Sequence, residues 1–170
     1  MTTRREILCL LGALPVLSLV GCGESGRDAA ADCSPLILTD EHECALCGMT
    51  IVRFPGPKGQ ACRRDGRQLA FCSVSDMLSW AWQPESGPNI AALYVHNLSH
   101  TDWDEPSDEH WMDADKAWYV VGHDQQAAMG HSPAPFSSRD DAEAFAERHG
   151  GQLFEFDVLD RNVIQEYAPS

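Results

Sequence analysis

The sequence predicts an α+β fold built from two tandem, homologous ββαβ units, and three observations carry that prediction. Extended segments flank a capped helix between Met49 and His96. The same order of elements returns between Ala117 and Val158. When one half is slid along the other, Phe71 falls on Phe136, Ser73 on Ser138, Asp76 on Asp141 and Ala81 on Ala146, so both halves share the phrase Phe-x-Ser-x-x-Asp where a strand passes into a helix.

In the first unit, Met49 to Phe54 has the β-branched and aromatic content of a strand, and Pro55 to Gly59 supplies a turn. A second strand is expected over Gln68 to Cys72. Ser73 with Asp76 three residues on is an N-cap signature, and Val74, Met77, Leu78 and Ala81 share one helical face as far as Trp82. Ile90 to His96 is the third strand. In the second unit, Ala117 to Gly122 and Pro133 to Phe136 read as strands. Ser138 to His149 reads as a helix stopped by Gly150-Gly151, and Leu153 to Val158 closes the unit with alternating apolar residues. Between the units, Asp102, Asp104, Glu105, Asp108 and Glu109 surround Trp103 and Trp111, which reads as a solvated loop anchored by tryptophans.

Residues 1–21 have the order of a secretory signal: Arg4-Arg5, an apolar run from Ile7 to Val20, then small residues. The run is too short to span a bilayer as a helix. It closes with Leu19-Val20-Gly21-Cys22, which resembles a lipobox, so Cys22 is expected to carry lipid and to anchor an exported protein to a membrane on its extracytoplasmic, periplasmic side. Residues 22–40 follow as lipidated cysteine and flexible linker, residues 41–98 as the first unit, and residues 99–170 as the acidic connection and the second unit. With 26 acidic against 12 basic residues the formal net charge is −14, which sets nucleic acid aside as a partner.

Seven cysteines occur. Setting aside Cys9 of the signal and Cys22 leaves five, and an odd remainder argues for at least one thiol free or ligand-bound. Cys33 reads as an incidental thiol or a linker disulfide partner. Cys72, ending an apolar strand, reads as a buried inert thiol.

The chemistry concentrates in Cys44-Ala45-Leu46-Cys47-Gly48-Met49. Thiolate and thioether sulfur are soft donors and select Cu(I). Zinc rarely takes thioether, so Met49 separates copper from zinc. A local disulfide, a thioredoxin-like redox pair and half of a zinc ribbon are the competing readings. A redox pair normally opens a helix, and a ribbon needs a second close pair, whereas Cys62 and Cys72 stand well apart. Met129-Gly130-His131 lies in a polar loop of the second unit. If the units pack as partners, Met129 or His131 would complete a site begun by Cys47, Met49 and Cys44. An enzyme working through paired thiols, as a disulfide oxidoreductase or an organomercurial-lyase-like catalyst, is the alternative function, and no acid or base stands convincingly near the pair.

These residues resemble the NosL family, lipoprotein copper chaperones of nitrous oxide reductase biogenesis. The resemblance rests on the lipobox at Cys22, on Cys44-x-x-Cys47-Gly48-Met49-x-Ile51, on Phe71-Cys72-Ser73, on Trp111-Met112-Asp113-Ala114 with Ala117-Trp118-Tyr119-Val120, and on Met129-Gly130 with Phe136. It implies a monomeric Cu(I) carrier rather than an enzyme, with a topology like that of organomercurial lyase. The implied recipient is apo nitrous oxide reductase or its assembly machinery. Carried over, Cys47 and Met49 would be ligands and His131 a third.

Overall fold

The computed structural model describes residues 32–168; the expected signal peptide, the lipid site Cys22 and the first part of the linker lie outside them. Strands β1 (Gly59–Arg63) and β2 (Gln68–Phe71) form a hairpin, followed by helix α1 (Val74–Ala81), strand β3 (Ile90–His96) and a short strand β4 (Trp111–Asp113). The second unit runs β5 (Trp118–Val121), β6 (Ala134–Phe136), α2 (Arg139–His149) and β7 (Gln152–Glu155), with a last helix α3 (Arg161–Glu166). Every strand pair is antiparallel, in the orders β2-β1-β3-β4 and β6-β5-β7. In both units, therefore, the first strand lies between the second and the strand that follows the helix.

The caps repeat as well. Ser73 Oγ accepts from the Asp76 backbone N–H at 3.1 Å, and Ser138 Oγ from that of Asp141 at 3.3 Å, satisfying one orphan donor at each helix start. Along β5 the side chains alternate. Tyr119 and Val121 enter a large core with Ile51, Phe71, Met77, Leu78 and Val95, while Val120 joins Ala134, Phe136, Ala142 and Phe145 beneath α2. The large core draws on both units, so they bury one another.

Four expectations need correction. Met49 to Phe54 is not a strand: Thr50 makes a single bridge to Glu43, and Ile51–Arg53 form a 3₁₀ turn. Ile51 is plugged wholly into the core, and Pro55 and Pro57, which lack a donor, hold the ladder off until Gly59. Strand β7 stops at Glu155 and passes into a 3₁₀ turn over Phe156–Val158. The linker is docked from Asp32 onward. Gln60 exchanges two hydrogen bonds with the Leu36 backbone, Asp108 accepts from the Leu38 N–H, and Cys33 is disulfide-bonded to Cys62. The acidic connection also supplies β4, which pairs with β3 and extends the first sheet.

His123, 1% exposed, holds the second unit's long loop in place. Its Nε2–H donates to the Ser132 carbonyl at 2.8 Å and its Nδ1 accepts from the Gln125 N–H, while Trp103 and Phe145 meet the ring edge-on. Burial pulls its pKa from 6.5 down to about 4. The folded state thus binds fewer protons than the unfolded state between those values, and stability falls as pH drops through that window. We expect a loss of about 3 kcal/mol from this group, measured as a falling urea midpoint between pH 7 and pH 4 that a His123→Gln variant largely lacks.

Candidate metal centre

The Cys-x-x-Cys segment is folded into a tight loop. The Cys44 N–H donates to the Met49 carbonyl at 2.8 Å and the Gly48 N–H to the Cys44 carbonyl at 2.9 Å, with Gly48 in the left-handed region at φ 74°. A side chain at that position would be strained, which accounts for glycine there. The Ala45 N–H donates to the Ala70 carbonyl, which pins the loop to the end of β2. Cys72 follows β2 directly and Asp76 lies in the first turn of α1, so hairpin, helix and loop meet at one place.

There the donor atoms of Cys44, Cys47, Cys72 and Asp76 all lie within 4.8 Å of one another. Asp76 Oδ2 is 3.3 Å from Cys44 Sγ and 3.3 Å from Cys72 Sγ, and the sulfurs of Cys47 and Cys72 are 3.5 Å apart. Cys44, Cys72 and Asp76 are buried; Cys47 is exposed. A hydrogen bond from the Cys72 thiol draws Cys44 down to about 6, against the effect of burial, with backbone N–H groups of the loop assisting. The same bond, reinforced by burial, pushes Cys72 far above the ordinary thiol range. Desolvation of its sulfur raises Cys47. Asp76 Oδ2 accepts from both the Cys44 and the Cys72 thiols, so the carboxylate ties the two buried sulfurs together.

The five residues expected to bind metal are not all gathered here. Cys44 and Cys47 are in the cluster. Met49 is half-buried, and its carbonyl closes the loop. Met129 is 57% exposed. The His131 ring is bonded to Gln126 Nε2 at 2.9 Å and lies outside the four-donor cluster. The second unit's loop nonetheless reaches the site's edge. The His131 carbonyl accepts from Ser75 Oγ, and Ser132 Oγ accepts from the Ser75 N–H, one residue before Asp76.

Cys72 is buried, as expected, and the structure adds that it belongs to the cluster; Asp76, expected only as a helix-cap residue, also turns its carboxylate to two thiols. A signal for both lay in the internal repeat. Where the first unit has Phe71-Cys72-Ser73 and a buried Asp76, the second has Phe136-Ser137-Ser138 and an exposed Asp141. The repeated phrase explains the cap; the cysteine and the burial of the aspartate are what the first unit adds. The disulfide occupies Cys33 and Cys62, so the three remaining cysteines of the described residues are free thiols, all in this cluster. Chemically it is a sulfur-rich site with one accessible thiol, two buried ones and a carboxylate that hydrogen-bonds to both.

The NosL family model matches residues 35–164. Curated relatives include a copper-binding lipoprotein NosL from Stutzerimonas stutzeri, 43% identical over 94% of this chain and 83% of its own. Another bearing the same name, from Achromobacter cycloclastes, is 37% identical over 96% of this chain and 85% of its own. The crystal structure of the copper chaperone NosL from Shewanella denitrificans superposes with a TM-score of 0.74 at 40% identity, covering 75% of this chain and 96% of that one. With the family model spanning nearly all of the described residues and the cysteine loop inside it, the chain belongs to the NosL family.

Proposed function

We propose that the protein is a Cu(I) carrier without turnover, anchored by lipid at Cys22 on the extracytoplasmic side of a membrane. It acts as a monomer and passes copper to apo nitrous oxide reductase or its assembly machinery. The observation that carries this reading is the sulfur cluster with its single exposed member. Soft sulfur selects Cu(I), and an exposed Cys47 gives a recipient's donor atom a place to attack and exchange. Cys47 and Met49 hold the ion at the surface, and Cys44 supplies a second thiolate from beneath. Met129 and His131 form the facing lip, a placement supported by the docking of their loop on Ser75. Asp76, a hard oxygen donor, hydrogen-bonds to the buried thiols rather than ligating Cu(I). The names of the relatives, copper-binding lipoprotein and copper chaperone, support the same reading.

Titration of the reduced protein with Cu(I) against a chromophoric chelator tests this. One tight equivalent is expected, and its absence would overturn the proposal. Met49→Leu is nearly volume-conserving and should cost less than about 1.5 kcal/mol of stability. In the same titration it should lower Cu(I) affinity about tenfold or more, equivalent to about 1.4 kcal/mol. Unchanged affinity would confine the site to thiols.

A further inference from the structure

Cys47 Sγ and Cys72 Sγ are already in contact at 3.5 Å. A disulfide needs about 2.0 Å, so closure requires only a small movement of the exposed Cys47 side chain toward the buried one. Nothing rigid stands between them, because Cys47 sits at the outer bend of a loop whose hydrogen bonds are made by Cys44, Ala45, Gly48 and Met49 rather than by its own side chain. The Cys72 thiol donates a hydrogen bond to Asp76 Oδ2 at 3.3 Å, which points its sulfur into the cluster.

We infer that the metal-free site is a substrate for thiol–disulfide exchange, closing through a Cys47–Cys72 disulfide, so that reduction by a dithiol must precede loading. The exposed Cys47 sulfur, its proton lost to solvent, attacks one sulfur of an external disulfide R–S–S–R; that S–S bond breaks, RS⁻ leaves and takes up a proton, and R–S is joined to Cys47. The Cys72 sulfur then attacks the Cys47 sulfur and expels the second RS⁻, which takes up the proton that Cys72 releases. Two cysteine thiols lose two electrons and two protons, and the external disulfide departs as two RSH. Cys44 is left reduced, without the two sulfur partners that a metal ion would share with it. A metal ion on Cys47 occupies the attacking sulfur, so the loaded site resists closure. This consequence for loading rests on the copper reading, whereas the closure itself does not.

The test exposes the reduced, metal-free protein to glutathione disulfide, quenches with acid, alkylates after unfolding and maps the peptides. The Cys47 and Cys72 peptides should be recovered linked, with Cys44 alkylated. A Cys72→Ser variant should stop at a stable glutathione adduct on Cys47. Recovery of all three cysteines alkylated, or of a Cys44–Cys47 link, would overturn the proposal. Oxidised wild type should take up no Cu(I) until treated with dithiothreitol, and equal uptake before and after would remove the gate. Because the peptide map involves no copper, failure of the copper reading would appear in the titration of the reduced protein and leave the map unaffected.

Discussion

Replacing Cys47 by serine is expected to lower Cu(I) affinity by more than about 100-fold, beyond what changes around a ligand usually cost, while leaving the fold nearly unaltered. The side chain is exposed and meets the core only where its sulfur rests on that of Cys72, so its removal takes away a soft donor and little packing. A hydroxyl is a hard, protonated donor at neutral pH and does not substitute for a thiolate on Cu(I). Cys44 and Cys72 remain, but both are buried, so an incoming chelator or recipient no longer meets a sulfur at the surface. Competition titration measures the affinity and urea unfolding the stability. A variant that keeps wild-type affinity would move the copper site away from this loop.

Phe71→Ala should have the opposite profile, losing about 3–5 kcal/mol of stability through transfer and cavity costs. Phe71 is fully buried, pairs in register with Gly59 and packs against Trp80 at 5.5 Å between centroids. Gly59 in turn lies so close to α1 that an added Cβ would stand 2.6 Å from Met77 Cβ, so strand and helix are in direct contact there. Phe71 immediately precedes Cys72, and Trp80 belongs to the helix that carries Asp76. A cavity at Phe71 therefore loosens both supports of the buried thiols. Urea denaturation should show the stability loss, and Cys72 should become alkylated under native conditions at a rate at which the wild type is inert. Native stability with an unreactive Cys72 would contradict this account of how the site is held.

The two substitutions separate what was legible in the chain from what was not. Local signals were strong where neighbours in sequence interact. The caps at Ser73 and Ser138, the apolar face of α1 and the run of β3 follow from residues a few positions apart, and α1, α2 and most strands stand where those patterns put them, whereas β1 and α3 were not expected. The loop of Cys44 and Cys47 was legible for the same reason, since Gly48 permits the turn that brings it together. Met49 to Phe54 misled because its β propensity is real, yet Ile51 gains more by entering the core than by lining a ladder that the following prolines forbid. Strand β4 and the docked linker are set by partners distant in sequence, the Trp111–His96 pairing and the Gln60 amide, and a local window cannot contain them.

The same division runs through the site. By itself the sequence determined that soft donors cluster at residues 44–49, that two similar units follow one another, and that a loop with Met129 and His131 occupies the second. Only the tertiary structure decided that Cys72 and Asp76 join the first pair, that Cys33 and Cys62 leave as a disulfide, and that His131 is turned toward Gln126. The reason is physical: burial and the end-to-end meeting of hairpin, loop and helix set which sulfurs touch and which one carries the charge. Those are properties of packing between segments, and the order of residues within any one segment does not contain them.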